Sequence, residues 1–266
     1  MIDLHTHILP EIDDGASSLE EALTMMALAA EDGITDMVAT PHCDFRFDFD
    51  PERCGEQLKR VRRLCSHVPR LHLGCEMHLS VENIERVVAK PQRYTLNSGD
   101  CLLVELPDMF SAAALEAGLK ACHRVGLRTV IAHPERNPNL QRNPAIAVRM
   151  MELGCYFQLT AQSLSGTFGA AAKKSAARML KQRLVYFVAS DCHDIDQRKP
   201  ELRRAYNAIA DEFGESTAQL LFVLNPRAAL QSRELVRPAE GRSTMRRILK
   251  SANIFSKERM WSATSY

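Results

Sequence analysis

Short apolar runs recur along the chain, and most of them are continuous rather than alternating. Continuous runs of this length are typical of parallel strands that are covered on both faces. Seven such runs predict strands, at residues 1–4, 36–39, 71–75, 101–104, 128–132, 155–159 and 184–188. Helical patterns lie between them, so strand and helix alternate as in a parallel α/β sheet. Seven repeats favour a closed, barrel-like sheet over an open one.

Helices are predicted where apolar residues follow the i, i+3, i+4 spacing. The clearest patterns cover residues 19–30, 51–65, 112–126 and 202–213. Ser17 and Glu20 have the spacing of a capping box at the start of the first helix. Pro51 suits the first turn of the second helix, and Ser111 suits the cap of the third.

The chain changes character after residue 232. Residues 233–266 contain eight Lys/Arg against three Glu. Within them, Met245, Ile248, Leu249 and Ala252 form a weak amphipathic pattern. The sequence therefore predicts a barrel domain at 1–232 and a basic, partly helical or flexible extension at 233–266. This extension is interpreted as a frayed or loosely docked terminus, with a partner- or membrane-binding element as the alternative.

Composition narrows the choice of protein class. A chain of 266 residues with 45% hydrophobic content can bury a full core, and a single domain is expected. The net charge of +1 argues against a general nucleic-acid binder. No apolar run is long enough to cross a bilayer, and no signal peptide is expected. Eight cysteines without a C-x-x-C pair favour a reducing cytoplasm without disulfides.

Metal-binding and basic side chains follow six of the seven predicted strands. Because the carboxyl ends of parallel strands meet at one rim of a barrel, these side chains are expected to lie together. Imidazole and carboxylate ligands suit manganese, iron or zinc. The number of candidate ligands is larger than a single ion needs. Two arginines at the same rim would suit phosphate oxygens, so the pattern predicts metal-assisted phosphoester hydrolysis. The candidate ligands are His5, His7, Asp14, His42, Glu76, Glu105, His133, Asp191 and His193, and the candidate phosphate-binding residues are Arg136 and Arg198.

Each candidate also has a simpler structural interpretation. A single histidine is more often a core or surface residue than a ligand. Asp13 and Asp14 would fit a turn before Gly15, and the two arginines would fit surface ion pairs. The combined pattern favours the metal centre, because an acid or histidine at the end of nearly every strand is improbable by chance. Glu105 adds to this, since a carboxylate directly after a buried apolar run is costly unless it is paired.

The motifs resemble those of the PHP (polymerase and histidinol phosphatase) superfamily, over roughly residues 1–230. Within it, the chain is most similar to bacterial metal-dependent protein-tyrosine phosphatases of capsule and exopolysaccharide biosynthesis. The resemblance implies a distorted seven-stranded (β/α) TIM-like barrel with a manganese centre of two or three ions, for which iron, cobalt or zinc are alternatives. The motifs that carry it are Asp3-x-His5-x-His7, Asp13-Asp14-Gly15, Thr40-Pro41-His42, Glu76, Glu105, His133-x-Glu135-Arg136 and Asp191-x-His193-x-x-Asp196-x-Arg198.

The resemblance also implies a role for each candidate residue. The first ion would be held by His5, His7, Glu76 and Asp191. The second would be held by Glu76, Glu105 and His133, and the third by Asp14, His42 and His193. Arg136 and Arg198 would bind the phosphate. A hydroxide shared by the first two ions would attack phosphorus.

The implied substrate is a phosphotyrosine on the C-terminal tail of a bacterial tyrosine autokinase. A cytoplasmic location is expected, with no nucleic-acid partner and with membrane contact only indirect or through the basic extension. The alternatives are a phosphatase of a small ester such as histidinol phosphate, a nuclease, a metal-stabilised binding module, and a thiol route through Cys192. Phe45, Phe47 and Phe49 form a candidate substrate-facing loop, with core packing as the alternative.

Overall fold

The strands form a parallel array around the core. The computed structural model describes residues 1–65 and 69–238. Within these residues every pairing between strands is parallel. The strands are β1 (Ile2–Thr6), β2 (Asp36–Ala39), β3 (His42–Cys43), β4 (Arg70–Leu73), β5 (Glu76–His78), β6 (Cys101–Glu105), β7 (Arg128–Ala132), β8 (Tyr156–Thr160) and β9 (Phe187–Ala189).

Seven of the nine strands correspond to the predicted ones, and the short strands β3 and β5 follow β2 and β4 after brief breaks. One sheet has the order β1-β2-β4 and the other has the order β3-β5-β6-β7-β8-β9. The segment after β9 returns to β1 through a bridge between Thr6 and Cys192, beside a hydrogen bond from His7 N to Cys192 O of 2.9 Å. The predicted α/β fold of the TIM-like type is confirmed, with its regular pairing divided between two sheets.

The short strands β3 and β5 are absent from the predicted set. Pro41 lies between β2 and β3 and has no N–H to donate to a ladder, so regular pairing stops there. Gly74 lies between β4 and β5, where a Cβ atom would come within 2.8 Å of a Leu96 methyl group. The two breaks set His42 opposite Glu76 in the β3–β5 register.

Helices cover the outside of the strands. All four predicted helices are present. As expected, α2 begins at Pro51 and α4 begins after Ser111, and Asp50 also caps α2. The predicted cap of α1 is wrong by one residue, because Ser18 Oγ accepts the hydrogen bond from Glu21 N. The helices are α1 (Leu19–Asp32), α2 (Pro51–Leu64), α3 (Val81–Ala89), α4 (Ala112–Arg124), α5 (Pro138–Arg142), α6 (Ala145–Glu152), α7 (Ala161–Ser165), α8 (Gly169–Lys181), α9 (Arg203–Phe213), α10 (Glu215–Gln219) and α11 (Asn225–Leu230).

Alternate residues of a strand enter two different apolar clusters, as the pleat requires. Leu102 and Val104 pack towards the helices in the larger cluster. Cys101 and Leu103 belong to a smaller cluster that also takes residues from β1, β2, β7 and β9, so this cluster fills the barrel interior. Glu105 follows Leu103 at the same spacing. The interior is therefore apolar along most of its length and becomes polar at the carboxyl ends of the strands.

The described chain stays packed on the barrel beyond residue 232. Val236 N donates to Asn225 Oδ1 at 2.9 Å, and Asn225 Nδ2 donates to Val236 O at 2.9 Å. Arg128 Nη1 donates to Arg233 O at 2.7 Å. Residues 239–266, with the predicted amphipathic helix, lie outside the described residues, so the division at residue 232 stays a prediction. No helix among the described residues has the length and apolarity needed to span a membrane.

Candidate metal centre

The nine predicted ligands converge at the carboxyl end of the barrel. His7 and His193, from opposite ends of the chain, have ring centroids 3.9 Å apart. The described residues contain four overlapping groups of candidate ligand atoms, and within each group the atoms lie within 4.8 Å of one another. Together these groups contain His5, His7, Asp14, His42, Glu76, Glu105, His133, Asp191 and His193.

Four buried side chains form the centre of this cluster. His5 Nε2 and His7 Nε2 are 3.1 Å apart. Glu76 Oε2 lies 3.2 Å from His5 Nε2 and 3.3 Å from His7 Nε2. Asp191 Oδ1 lies 3.4 Å and 3.5 Å from the same two nitrogens. Two imidazole nitrogens and two carboxylate oxygens therefore face a common point.

Hydrogen bonds on the far side of each imidazole fix its orientation. His5 Nδ1 is 2.9 Å from Gln158 Oε1, and the Gln158 amide is oriented by its donation to Leu159 O at 2.7 Å. His7 Nδ1 is 2.7 Å from Asp13 Oδ2. Because both partners are acceptors, Nδ1 is the nitrogen that carries the proton whenever the ring is neutral, and Nε2 is then left free to bind a metal ion.

The converging lone pairs fit a cation. Glu76 Oε2 is buried and receives no hydrogen bond among the described residues. A carboxylate oxygen in that position would be costly without a positive partner. Asp13 forms the predicted turn, since its Oδ1 accepts from Gly15 N at 3.1 Å, and its Oδ2 also orients His7. Gln158, which orients His5, was not among the predicted residues.

The second group extends from the other oxygen of Glu76. Glu76 Oε1 is 2.7 Å from His133 Nε2, and Glu105 Oε1 is 3.9 Å from the same nitrogen. Glu105 is partly exposed, so this group opens to solvent. His78 Nδ1 lies 3.2 Å from Glu105 Oε2. Glu76 thus contacts both groups, as a bridging carboxylate would.

The third group surrounds Asp14. Its Oδ1 lies 3.2 Å from His42 Nε2 and 3.4 Å from His193 Nε2. His193 Nδ1 lies 3.0 Å from Asp191 O, which directs Nε2 towards Asp14. His42 Nδ1 lies 3.0 Å from Glu76 Oε2 and joins this group to the central one. The Asp14 side chain is 41% exposed and faces the opening.

The two predicted phosphate-binding arginines reach a single oxygen of Asp191. Arg136 Nη1 lies 2.6 Å and Arg198 Nη2 lies 2.7 Å from Asp191 Oδ2. The other oxygen of this carboxylate faces His5 and His7. Asp191 therefore lies between the candidate ligand cluster and a pair of guanidinium groups. This arrangement could bind an anion between the guanidinium groups and metal ions held by the cluster.

Two candidate ligands have left-handed backbone conformations. His133 has φ of 32° directly after β7, and Asp191 has φ of 54° shortly after β9. Such values are unfavourable for residues with a side chain, and they cluster at functional sites. In both cases the chain turns the side chain into the cluster.

Two other acidic residues of the motifs serve the scaffold. Asp3 Oδ1 accepts the hydrogen bond from Ser190 N at 3.0 Å, which ties β1 to the segment that carries Asp191. Glu135 Oε1 accepts from Thr160 N at 3.0 Å and from Ser163 Oγ at 2.6 Å. Neither belongs to the candidate ligand groups.

The three phenylalanines of the candidate substrate loop lie in different environments. Phe45 is 91% exposed. Phe47 stacks on the ring of His42 with centroids 5.9 Å apart. Phe49 is buried against Tyr94, with centroids 5.4 Å apart, so the core alternative holds for this residue.

Without an ion, protons balance the charge of the cluster. Burial by itself would lower the pKa of His5, but the Glu76 and Asp191 carboxylates outweigh it and raise the pKa from 6.5 to about 9. Burial likewise opposes ionisation of Glu76, yet the surrounding histidines hold its pKa well below the usual range. Protons and metal ions therefore compete for the same site.

This competition predicts a pH-dependent stability of the metal-free protein. A raised folded-state pKa contributes stability that is complete below the unfolded value of 6.5 and is lost as pH rises through about 9. We expect the melting temperature of chelator-treated protein to fall across this window, and that of metal-loaded protein to fall much less. Calorimetry at several pH values measures both. A His123→Gln variant, altered far from the cluster, serves as control, and equal slopes with and without metal would contradict the prediction.

Fold and cluster together define an α/β barrel protein with a candidate set of metal ligands beside two arginines. The chain belongs to the CpsB/CapC family of capsular polysaccharide synthesis, whose sequence model matches residues 1–231. The resemblance predicted from the motifs is confirmed at the level of this family.

Individual relatives cover most of the chain. It is 33% identical over 236 residues to the tyrosine-protein phosphatase CpsB of Streptococcus pneumoniae, covering 85% of this chain and 97% of the relative. It is also 33% identical over 225 residues to the tyrosine-protein phosphatase YwqE of Bacillus subtilis, covering 83% and 88%. A structure from work on these two proteins, described as unique metal-dependent tyrosine phosphatases, matches with a TM-score of 0.83 and 30% identity over 90% of this chain and 97% of the other.

Proposed function

We propose that this protein is a metal-dependent tyrosine phosphatase that removes phosphate from phosphotyrosine in a protein. The observation that carries the proposal is the position of Asp191, with one oxygen in the candidate ligand cluster and the other on Arg136 and Arg198. An ester phosphate bound there would contact cations on one side and two guanidinium groups on the other. The similarity to CpsB and YwqE supports the choice of phosphotyrosine.

The proposed ligand sets are those that the resemblance implies. The geometric groups differ from them in part, because His133 lies with His5 and Asp191, and Glu105 lies with His42 and Glu76. His5, His7, Glu76 and Asp191 would hold the first ion, and Glu76 would share the second with Glu105 and His133. Asp14, His42 and His193 would hold a third ion. Bound ions would supply Lewis acidity and lower the pKa of water towards neutrality. Imidazole and carboxylate donors suit manganese, which we propose as the resident metal, with iron, cobalt or zinc as chemically allowed alternatives.

The residues of the chain would orient the ester around this centre. Arg136 and Arg198 would each donate to a phosphate oxygen and fix the phosphorus against the cluster. Gln158 and Asp13 would keep His5 and His7 in the tautomer that leaves Nε2 free. Tyrosinate leaves with a pKa of about 10, so protonation of the leaving oxygen is less demanding than for an alkyl ester.

The thiol route through Cys192 lacks support in the geometry. Cys192 is buried, and burial raises its pKa well above the ordinary value of 9.0. A thiol nucleophile needs an accessible thiolate. The Cys192 backbone N–H instead donates to Ser190 Oγ at 3.1 Å, which ties the residue to the segment after β9.

We further propose that the substrate is the phosphorylated C-terminal tail of a bacterial tyrosine autokinase that acts in capsule or exopolysaccharide synthesis. The family match and the relatives named for tyrosine phosphatase activity support this proposal. This proposal implies that the protein acts in the cytoplasm and contacts the membrane only through the kinase or the basic extension.

A paired assay tests the proposed function. Metal-loaded protein should hydrolyse a phosphotyrosine peptide with kcat/KM roughly tenfold or more above that for histidinol phosphate, a preference that needs only about 1.4 kcal/mol of added contact. A chelator should remove both activities, and Cys192→Ser should retain them. A preference for histidinol phosphate would overturn the substrate assignment. Loss of turnover in Cys192→Ser with its metal content intact would favour the thiol route.

A further inference from the structure

One short element is hydrogen-bonded to the residue before each candidate phosphate-binding arginine. Helix α7 and the turn after it span residues 161–168, between the two arginine segments. Ser163 Oγ donates to the carboxylate of Glu135, which directly precedes Arg136, at 2.6 Å. Gln162 Nε2 donates to the backbone oxygen of Gln197, which directly precedes Arg198, at 3.1 Å.

The turn after α7 places an aromatic ring against both arginines. The Arg136 guanidinium carbon lies 4.3 Å from the Phe168 ring centroid. The Arg198 guanidinium carbon lies 5.7 Å from the same centroid. Both distances are in the range of a cation–π contact, in which the negative face of the ring attracts the cation. One ring therefore contacts two like charges that would otherwise repel each other.

Two glycines form the ends of this turn. Gly166 has φ of 96° and Gly169 has φ of 88°, values that residues with a Cβ atom rarely adopt. Gly169 N donates to Gly166 O at 2.9 Å and closes the turn. Phe168 thus extends from a tight, hydrogen-bonded turn, so the backbone sets the direction of its Cα–Cβ bond.

From this arrangement we infer that Phe168 is a positioning residue for phosphate binding, which rests on the proposed function of the site. Its ring holds the guanidinium groups of Arg136 and Arg198 at the spacing needed to contact one phosphate. Asp191 Oδ2 neutralises the same pair, at 2.6 Å from Arg136 Nη1 and 2.7 Å from Arg198 Nη2. Phe168 acts through the arginines and is not itself expected to contact the phosphorus. The sequence alone gave no reason to select this residue.

Two substitutions distinguish the effect of the aromatic face of Phe168 from the effect of its side-chain volume. Phe168→Leu keeps an apolar side chain but removes the aromatic face, whereas Phe168→Tyr keeps the face. We expect Phe168→Leu to weaken inorganic phosphate binding to metal-loaded protein by about 5- to 30-fold, the range of one or two cation–π contacts. Phe168→Tyr should remain within about twofold of the unmodified protein, by the same estimate. Isothermal titration calorimetry measures phosphate binding without turnover, and metal content and melting temperature are measured beside it.

A double-mutant cycle tests whether Phe168 acts through the arginines. Phe168→Leu should have little further effect on phosphate affinity in an Arg136→Ala/Arg198→Ala background. A purely structural role would give the same loss in both backgrounds and would overturn the inference. Unchanged phosphate affinity in Phe168→Leu alone would also overturn it, as would a loss that follows metal content. Phe213→Leu, which alters a partly buried ring packed on the core, is the matched control.

Failure of the inference can be told apart from failure of the proposed function. If the unmodified protein hydrolyses phosphotyrosine and Phe168→Leu binds phosphate normally, only the role of Phe168 is wrong. If the metal-loaded, unmodified protein neither binds phosphate nor hydrolyses the ester, the function itself is wrong, and the inference falls with it.

Discussion

Replacing Asp191 with asparagine is expected to lower kcat/KM for a phosphotyrosine peptide by about 10³-fold or more, as expected for loss of charge at a metal-assisted site. Asparagine has nearly the same shape but no negative charge. Its amide would bring two protons into the space between His5, His7 and the two arginines, where the structure places only an acceptor. The ligand set would lose one charge, and the guanidinium groups would lose their shared neutralising partner.

Steady-state kinetics and metal analysis of the Asp191→Asn protein measure this effect. Asp211→Asn, an exposed aspartate on α9, makes the same chemical change far from the cluster and should keep full activity. Circular dichroism and melting temperature show whether the variant is folded. A folded Asp191→Asn protein with more than about one tenth of the original turnover would contradict the assignment, because a loss that small is below that of one removed transition-state donor.

Removing the metal is expected to abolish hydrolysis and to lower the melting temperature. At 100 times the dissociation constant, a bound ion stabilises the folded state by about 2.7 kcal/mol. For a domain of this size, that corresponds to a shift of about 5–11 °C. The physical reason is the central group, where Glu76 Oε2 faces two imidazole nitrogens and accepts no hydrogen bond from the part of the chain that the structure describes.

Dialysis against a chelator, followed by return of single metals, measures both quantities. Manganese should restore activity and stability together, and comparison with iron, cobalt and zinc identifies the best metal. The Glu76→Gln protein should show neither recovery, because its bridging charge is gone. Full activity after complete removal of metal, verified by elemental analysis, would exclude the proposed centre.

The grouping of the candidate ligands could be predicted because the topology determines it. Once the apolar runs are interpreted as parallel strands, His5, Glu105 and His133 must approach the same rim whatever their separation in sequence. Glu105 was informative for a second reason, since a carboxylate that follows four buried residues needs a partner. The structure brings all three into one cluster.

The residues that orient the ligands could not be found in this way. His5 and Gln158 are 153 positions apart, and a glutamine inside a strand has no sequence feature that marks it as a histidine partner. Phe168 lies in the turn between α7 and α8, where an aromatic residue gives no periodic signal. Such roles depend on three-dimensional distances that neither spacing nor propensity encodes.

Errors in element boundaries have local causes. Ser17 and Ser18 are both good caps, and their spacing to Glu20 and Glu21 is identical, so the sequence cannot choose between them. The short strands β3 and β5 contain only two and three residues, below the length at which a hydrophobic period can be detected.

The double contact of Asp191 also implies a filter for anions. Arg136 and Arg198 both already donate to Asp191 Oδ2. An incoming anion must therefore displace this carboxylate oxygen from the two guanidinium groups before it can bind them. A doubly charged phosphate ester offers a separate oxygen to each arginine, and the two charge-assisted hydrogen bonds that it gains favour this displacement. Chloride or a simple carboxylate offers less charge and fewer oxygens. The same carboxylate would recapture the arginines as inorganic phosphate departs, which would favour its release.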